Sequence, residues 1–278
     1  MIELAVEDLA HVYPGGVRAL DGVSLKIGPG ETVALVGQNG SGKTTLVRHL
    51  NGLLRPTSGR VLVGGVDAAG LRVASLAAQV GLVFQDPDRQ IFAGSVRKEV
   101  EFGPRNVGLR SAVLDEAVAG ALAAVGLGGE ETTNPYDLGA ARRKLLAVAS
   151  VLAMRTPVLV LDEPTTGQDR AGVARVHDIV ARVSGEGRTV IAVSHDLRFV
   201  AETFDRVVAL RAGRVVLDGP PDEVFGASAW ETLRATGLEP PVAAVLAEQL
   251  GVGPVATEAA LVRALVASDG PGGSEAPA

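Results

Sequence analysis

The sequence predicts an α/β fold in which the buried strands of one open sheet alternate with helices, and three observations carry that reading. The apolar run at 32–36 leads into Gly37-Gln38-Asn39-Gly40-Ser41-Gly42-Lys43-Thr44 and then into the helix-like stretch at 45–50. Three further apolar runs, at 80–84, 158–161 and 189–194, have the unbroken pattern of strands covered on both faces. Residues 86–137 are mostly helical in pattern and fall between two of those strands, so they read as a helical subdomain inserted into the sheet domain.

Residues 37–44 fit the phosphate-binding pattern G-x-x-x-x-G-K-[ST]. Glycines at 37, 40 and 42 open backbone conformations closed to other residues, so consecutive N–H groups can turn inward onto phosphate oxygens. Lys43 adds a full positive charge, the hydroxyl of Thr44 can ligate Mg²⁺, and the helix that starts near Lys43 points its positive end at the phosphates. Gln38, Asn39, Ser41 and Thr45 complete the expected nucleotide-contacting set. The plainer alternative is a glycine-rich turn that carries Lys-Thr by chance; the strand before and the helix after argue for a nucleoside triphosphate instead.

Composition sets outer bounds. A chain of 278 residues, 47% of them hydrophobic, can bury a sizeable core and suggests one large domain or one domain with an appendage. Cysteine is absent, which removes disulfides and thiolate metal sites and fits a reducing cytoplasm. No apolar run approaches the roughly 18 residues that a membrane span needs, because Arg155-Thr156-Pro157 interrupts the longest candidate. The start Met1-Ile2-Glu3-Leu4 has no basic region ahead of an apolar stretch, so no signal peptide is expected. A net charge of −6 argues against a general grip on nucleic acid. Work at a membrane would run through a partner.

Residues 2–7 and 23–27 alternate apolar and polar, the period of half-buried antiparallel strands, with a turn at Tyr13-Pro14-Gly15-Gly16 between them. The Tyr13 ring can stack on a nucleobase or simply end a strand. After the phosphate loop, turn residues at 51–52 and 56–59 precede a strand at 60–63. The strand at 80–84 delivers Gln85 to its carboxyl end, where ligands of open α/β sheets sit, although a lone Gln there is commonly a solvated loop residue. Within the inserted block, apolar spacing at 112–125 marks a helix that Gly126 stops.

Two carboxylates, Asp162 and Glu163, follow the strand at 158–161. Asp162 can hold Mg²⁺, and Glu163 can orient an attacking water; the pair can also read as the start of a helix, since Pro164 and Thr165 follow. A phosphate loop earlier in the chain favours the metal reading. A helix is expected at 170–183, then the strand at 189–194 ending at His195-Asp196. His195 is placed to contact a γ-phosphate, or is structural. Residues 206–210 and 214–218 read as a hairpin, and 222–235 and 242–250 as short amphipathic helices.

The phosphate loop, Gln85, Asp162-Glu163 and His195, in that order and spacing, resemble the nucleotide-binding subunits of ABC transporters over about residues 2–226. The resemblance implies an ATPase using ATP and Mg²⁺. Tyr13 would stack on adenine, Gln85 would be the Q-loop residue at the metal, Asp162 the metal-coordinating aspartate, Glu163 the catalytic glutamate, Asp169 the D-loop aspartate and His195 the switch histidine. The stretch from Phe84 to Phe92, followed by Glu99 to Pro104, looks like the ATPases of energy-coupling factor (ECF) importers, which take up vitamins or transition-metal ions. Implied partners are a second ATPase, an integral membrane coupling subunit and a substrate-binding membrane protein, with the chain held at the cytoplasmic face of the membrane. The expected domain plan is an ATPase domain at 1–226 with its helical subdomain at about 86–155, a helical extension at 227–268 that aids dimerisation, and a disordered tail at 269–278.

One departure matters. Where that family carries Leu-Ser-Gly-Gly-Gln, a signature that closes over the nucleotide of the opposite subunit, this chain has Leu138-Gly139-Ala140-Ala141-Arg142. Gly139 lacks the hydroxyl, Ala140 and Ala141 crowd the approach, and Arg142 replaces a neutral amide. A helix start near Arg142, with Arg142 or Arg143 as substitute charge, is what remains. The expectation is a heterodimer whose other member brings an intact signature. The rival reading from another class is a non-transport ABC ATPase acting on nucleic acid or ribosomes, which would bring tandem cassettes, a long coiled-coil insertion or a basic surface. A third reading, an exporter cassette, would normally come fused to spans or lack the Asp86 to Phe92 pattern.

Overall fold

A computed structural model describes residues 2–268; the tail expected at 269–278 lies outside the described residues. Two strands open the chain, β1 (Leu4–Val12) and β2 (Arg18–Ile27), antiparallel with Leu4 opposite Ile27 and Val6 opposite Leu25. Both run further than the alternation at 2–7 and 23–27 suggested. Asp8 takes a left-handed φ of 46° and the register slips around it, so the buried face of β1 changes phase and a strict period of two no longer marks it.

The remaining elements follow in order: β3 (Thr32–Val36), α1 (Lys43–Leu50), β4 (Ser58–Val63), β5 (Val66–Asp67), α2 (Val73–Ala77), β6 (Val80–Val83), α3 (Val96–Asn106), α4 (Ser111–Ala124), α5 (Ala140–Leu152), β7 (Val158–Asp162), α6 (Arg170–Gly185), β8 (Thr189–Val193), α7 (Leu197–Thr203), β9 (Arg206–Arg211), β10 (Arg214–Gly219), α8 (Pro221–Val224), α9 (Trp230–Ala235), α10 (Val242–Leu250) and α11 (Glu258–Ser268). They form two sheets. An antiparallel one has the order β2-β1-β4-β5, and a larger one the order β10-β9-β3-β8-β7-β6. Within the larger sheet β9, β3, β8, β7 and β6 are parallel, and β10 adds antiparallel at the edge.

The unbroken apolar runs are explained by burial on both faces. Val33 and Leu35 of β3 point with Val158 and Val160 of β7 into a core shared with the antiparallel sheet and with Leu46 and Leu50 of α1. Ala34 and Val36 point with Leu159 and Leu161 into the opposite core, against Leu146 and Val148 of α5 and Val176 and Val180 of α6. A strand enclosed this way needs apolar side chains at every position.

The C-terminal part departs from the simple pattern. The helix expected at 222–235 is broken: Phe225 turns fully inward, the Trp230 indole donates to its carbonyl at 2.7 Å, and α8 and α9 lie on either side. Helix α11 falls within the stretch expected to be a helical extension, although the sequence reading assigned no separate helix there. Leu233 and Ala244 join the main core, while Ala243, Ala247 and Leu261 form a small cluster between α10 and α11.

Gly59, in β4, has φ +76°, and a methyl group there would overlap the carbonyl oxygen of Asp8 at the slipped register of β1. Gly65 has φ +79° with no described atom within 4 Å of such a methyl. Gly65→Ala is expected to cost about 1 kcal/mol from left-handed strain alone, and Gly59→Ala clearly more, as measured by urea unfolding. Equal midpoints for the two variants would contradict this packing.

Candidate nucleotide site

The loop between β3 and α1 is forced into shape by its glycines. Gly37 has φ +140°, and a side chain there would strike the Leu210 carbonyl; Gly42 has φ +107°, with the Ala19 carbonyl 2.6 Å from the place a Cβ would take. Gly42 is also the residue that caps α1, and it offers no side chain to the first-turn N–H groups. Those donors therefore remain available to an anion.

The loop borders a cleft of about 350 Å³ whose lining includes Tyr13, Asn39, Gly40, Lys43, Thr44, Thr45, Gln85 and Glu163. Residues from four separate segments thus meet at this cleft. Tyr13 hangs from the turn between β1 and β2, its hydroxyl 3.1 Å from Thr45 Oγ1 and its ring edge-on to His11 at 4.7 Å. Gln85 is exposed just past the end of β6, as the strand pattern required.

Lys43 is buried, and its ammonium donates to the carbonyls of Gly37 at 2.6 Å and Gln38 at 3.0 Å and lies 3.4 Å from Ser41 Oγ. Burial pushes its pKa below the usual lysine value, with Glu163 and Asp162 pulling the other way. Asp162, at the end of β7, is buried and pushed up by desolvation, while the Thr44 hydroxyl, donating to it at 3.3 Å, opposes the rise. The two oxygens are hard donors of the kind Mg²⁺ accepts. Among the described residues no group of three or more His, Cys, Asp or Glu is set to hold a metal. The donor set therefore suits a cation that takes its other ligands from phosphate and water.

Glu163 follows directly and is the strained residue of the site, with φ 52°. Its N–H still pairs with Val193 O at 2.9 Å, one residue past the end of β7. The carboxylate is held by His195 Nδ1 at 2.7 Å and by the Thr166 hydroxyl at 3.2 Å. For an ionised Glu163 the first contact puts the proton on Nδ1 of His195. His195 itself is largely exposed, whereas Glu163 is buried.

Other expected residues lie outside the cleft. Asp169 caps α6, accepting from Gly172 N at 2.7 Å. Gly139 caps α5, which begins at Ala140, two residues before the expected start near Arg142. Neither arginine there is spare charge: Arg142 pairs with Glu130 at 2.7 Å, and Arg143 binds the Leu138 carbonyl at 2.7 Å and lies 3.2 Å from Asp88. The Glu130 carboxyl is held below its usual range, chiefly by Arg142.

Two groups escaped the sequence reading. Lys144 is buried on α5, donates to Thr166 O at 3.1 Å, and is pushed down by desolvation while Glu163, Asp162 and Asp86 pull it up. The signal was a lysine whose neighbours one helical turn away, Ala140, Ala141, Ala147 and Val148, are all apolar. His49 is buried on the inner face of α1, its Nδ1 donating to Thr45 O at 2.7 Å and its Nε2 3.2 Å from His11 Nδ1.

Fold and cleft together define a P-loop nucleotide-binding cassette. The chain matches the ABC transporter family over residues 20–166. A protein of Methanosarcina acetivorans named as a candidate ABC transporter ATP-binding protein is 44% identical over 88% of this chain. The chain spans 40% of that protein's length. The energy-coupling factor transporter ATP-binding protein EcfA of Methanothermobacter thermautotrophicus is 40% identical over 90% of this chain and 80% of its own length. Among solved structures, CbiO1 of Clostridium perfringens, described as part of the ABC transporter complex CbiONQ, superposes with a TM-score of 0.72 and 37% identity, covering 84% of this chain and 94% of that one. The chain belongs to the ABC transporter family of ATP-binding proteins, as an ABC ATPase similar to the ECF-type members.

His49 carries a pH dependence with a definite sign. Burial lowers its pKa below the usual 6.5, the Thr45 carbonyl opposing. The unfolded chain therefore binds a proton that the folded chain resists, and stability present above the ordinary histidine value is lost as pH falls through it. Urea midpoints at about pH 7.5 and about pH 5.5 should differ more for the native chain than for His49→Gln; an unchanged difference would remove His49 as the cause.

Proposed function

We propose that this chain is one motor subunit of an ECF-type importer for a vitamin or a transition-metal ion, binding and hydrolysing ATP as half of a heterodimer. The observation that carries the hydrolytic part is Glu163: a buried carboxylate in a strained backbone, fixed by His195 and Thr166 and opening onto the cleft that Lys43 and Thr44 border. In this reading Tyr13 stacks on adenine. The N–H groups of 39–45 and the Lys43 ammonium take the phosphates. Mg²⁺ held by Thr44 and Asp162, with Gln85 as a further ligand, would neutralise phosphate charge. Glu163 orients the attacking water, and His195, with its proton on Nδ1, keeps that carboxylate aimed.

The heterodimer is supported by Gly139-Ala140-Ala141-Arg142. The start of α5 offers no hydroxyl, and its arginines are already paired. This chain's P-loop would then be closed by the intact signature of a different ATPase, across an interface that includes Asp169. Residues 1–226 would be the ATPase domain, with the helical subdomain at about 86–155 facing a membrane coupling subunit, and 227–268 the dimerisation extension. Among the described residues no helix is long and apolar enough to cross a membrane. Attachment to the cytoplasmic face would therefore come from the coupling subunit and the substrate-binding membrane protein. The similarity to EcfA and CbiO1 supports the ECF type.

Glu163→Gln is expected to keep ATP binding and lower turnover by about a hundredfold or more, leaving a long-lived closed dimer in size-exclusion chromatography with ATP. Unchanged turnover would take Glu163 out of the mechanism. The chain purified with its co-purifying ATPase and membrane subunit should hydrolyse ATP much faster than the chain alone; equal rates at high concentration would defeat the heterodimer.

A further inference from the structure

One peptide group of the phosphate loop is held from both sides. The carbonyl of Gly37 accepts from Lys43 Nζ at 2.6 Å, and the N–H of the same peptide, that of Gln38, donates to the carbonyl of Thr236 at 3.2 Å. Two hydrogen bonds through one amide polarise each other, so a change at one end alters the strength of the other.

The Thr236 end is built to hold still. Thr236 is fully buried at the end of α9, and its N–H and its hydroxyl both donate to Leu233 O, at 2.9 Å and 2.6 Å. Leu233 is itself fully buried in the main core. Gly237 follows with φ +75°, and a Cβ there would stand 3.0 Å from Gln38 Oε1 and 3.3 Å from Gln38 Cβ. Only glycine meets both the left-handed turn and the close approach to Gln38. Four residues on, Pro241 caps α10, whose Ala244 packs in the same core.

We propose that the Thr236–Gly237 turn is a positioning element of the nucleotide site, which fixes the Gly37–Gln38 peptide and thereby links occupancy of the P-loop to the C-terminal helices. This rests on the ATP reading of the cleft. The bond from Gln38 N–H to this rigid carbonyl fixes the loop in one conformation before the phosphates arrive, and phosphates that bind this conformation favour the Thr236 bond in turn. By reciprocity, distortion of the turn lowers nucleotide affinity although it touches no part of the nucleotide.

The test uses the full chain, a non-hydrolysable ATP analogue with Mg²⁺, and two glycine variants. Gly237→Ala strains the turn against Gln38. Gly251→Ala, at the end of α10 with φ +67° and no described atom within 4 Å of the added methyl, imposes the same kind of backbone strain away from the loop. Gly237→Ala is expected to weaken analogue binding roughly fivefold or more, while Gly251→Ala stays near the native affinity at a comparable thermal midpoint. Equal affinities in the two variants would overturn the proposal. Should Gly237→Ala not fold, hydrogen exchange of the native chain decides: amides at 233–250 must change their protection on analogue binding, and unchanged protection overturns it. A native chain that fails to bind the analogue at all would instead bring down the ATP reading, and the proposal with it.

Discussion

The parallel pairing of β3, β8 and β7 is the constraint on which the site depends. Leu35 lies opposite Val193, and Val193 opposite Asp162, so the carboxyl ends of the three strands finish on one line. The loop that follows β3, the carboxylates that follow β7 and the histidine that follows β8 are delivered to that line together. Shifting one strand by a residue would also turn every side chain of these doubly buried strands toward the wrong core. Site geometry and core packing are thus specified by the same register.

That placement costs stability locally. Glu163 sits in a left-handed conformation, and Lys43, Asp162 and Lys144 are buried charges whose pKa values burial has displaced toward the neutral form. Each is partly compensated by the others: the two carboxylates raise both lysines, and Lys43 lowers Asp162. A cluster of this sort is poorly satisfied on its own and gains when phosphates and a divalent cation complete it. The lysine bonded to carbonyls of its own loop is the clearest case, since it occupies acceptors that compete weakly with a triphosphate.

Much of this was legible in the sequence for a physical reason. Strands buried on both faces leave unbroken apolar runs, and the runs ending at 36, 84, 161 and 194 put Gly37, Gln85, Asp162 and His195 just past strand ends. Legibility failed where the backbone itself carries the information. The register slip at Asp8 hid the second half of β1. Phe225 turning inward broke a helix that looked continuous. The start of α5 at Ala140 depends on a glycine cap without a side-chain bond, and so left no mark. The contact between Thr236 O and Gln38 N involves only main-chain atoms and could not be read from residue types. Lys144 was readable in principle, as a charge inside an apolar helix face.

The central claim is that this chain carries the catalytic half of an ATP site and a disabled lid. Lys43, Thr44, Gln85 and Glu163 border one cleft, whereas Gly139 to Arg142 offer no hydroxyl, and Arg142 and the neighbouring Arg143 are held in local ion pairs. The most direct measurement is ATPase activity of the isolated chain, over a concentration series, before and after the lid is rebuilt as Leu138-Ser-Gly-Gly-Gln by Gly139→Ser, Ala140→Gly, Ala141→Gly and Arg142→Gln. The account expects the native chain to remain near background and the rebuilt chain to gain an activity that rises steeply with concentration, as a dimer requires. A native chain that already hydrolyses ATP as fast as the rebuilt one would contradict it.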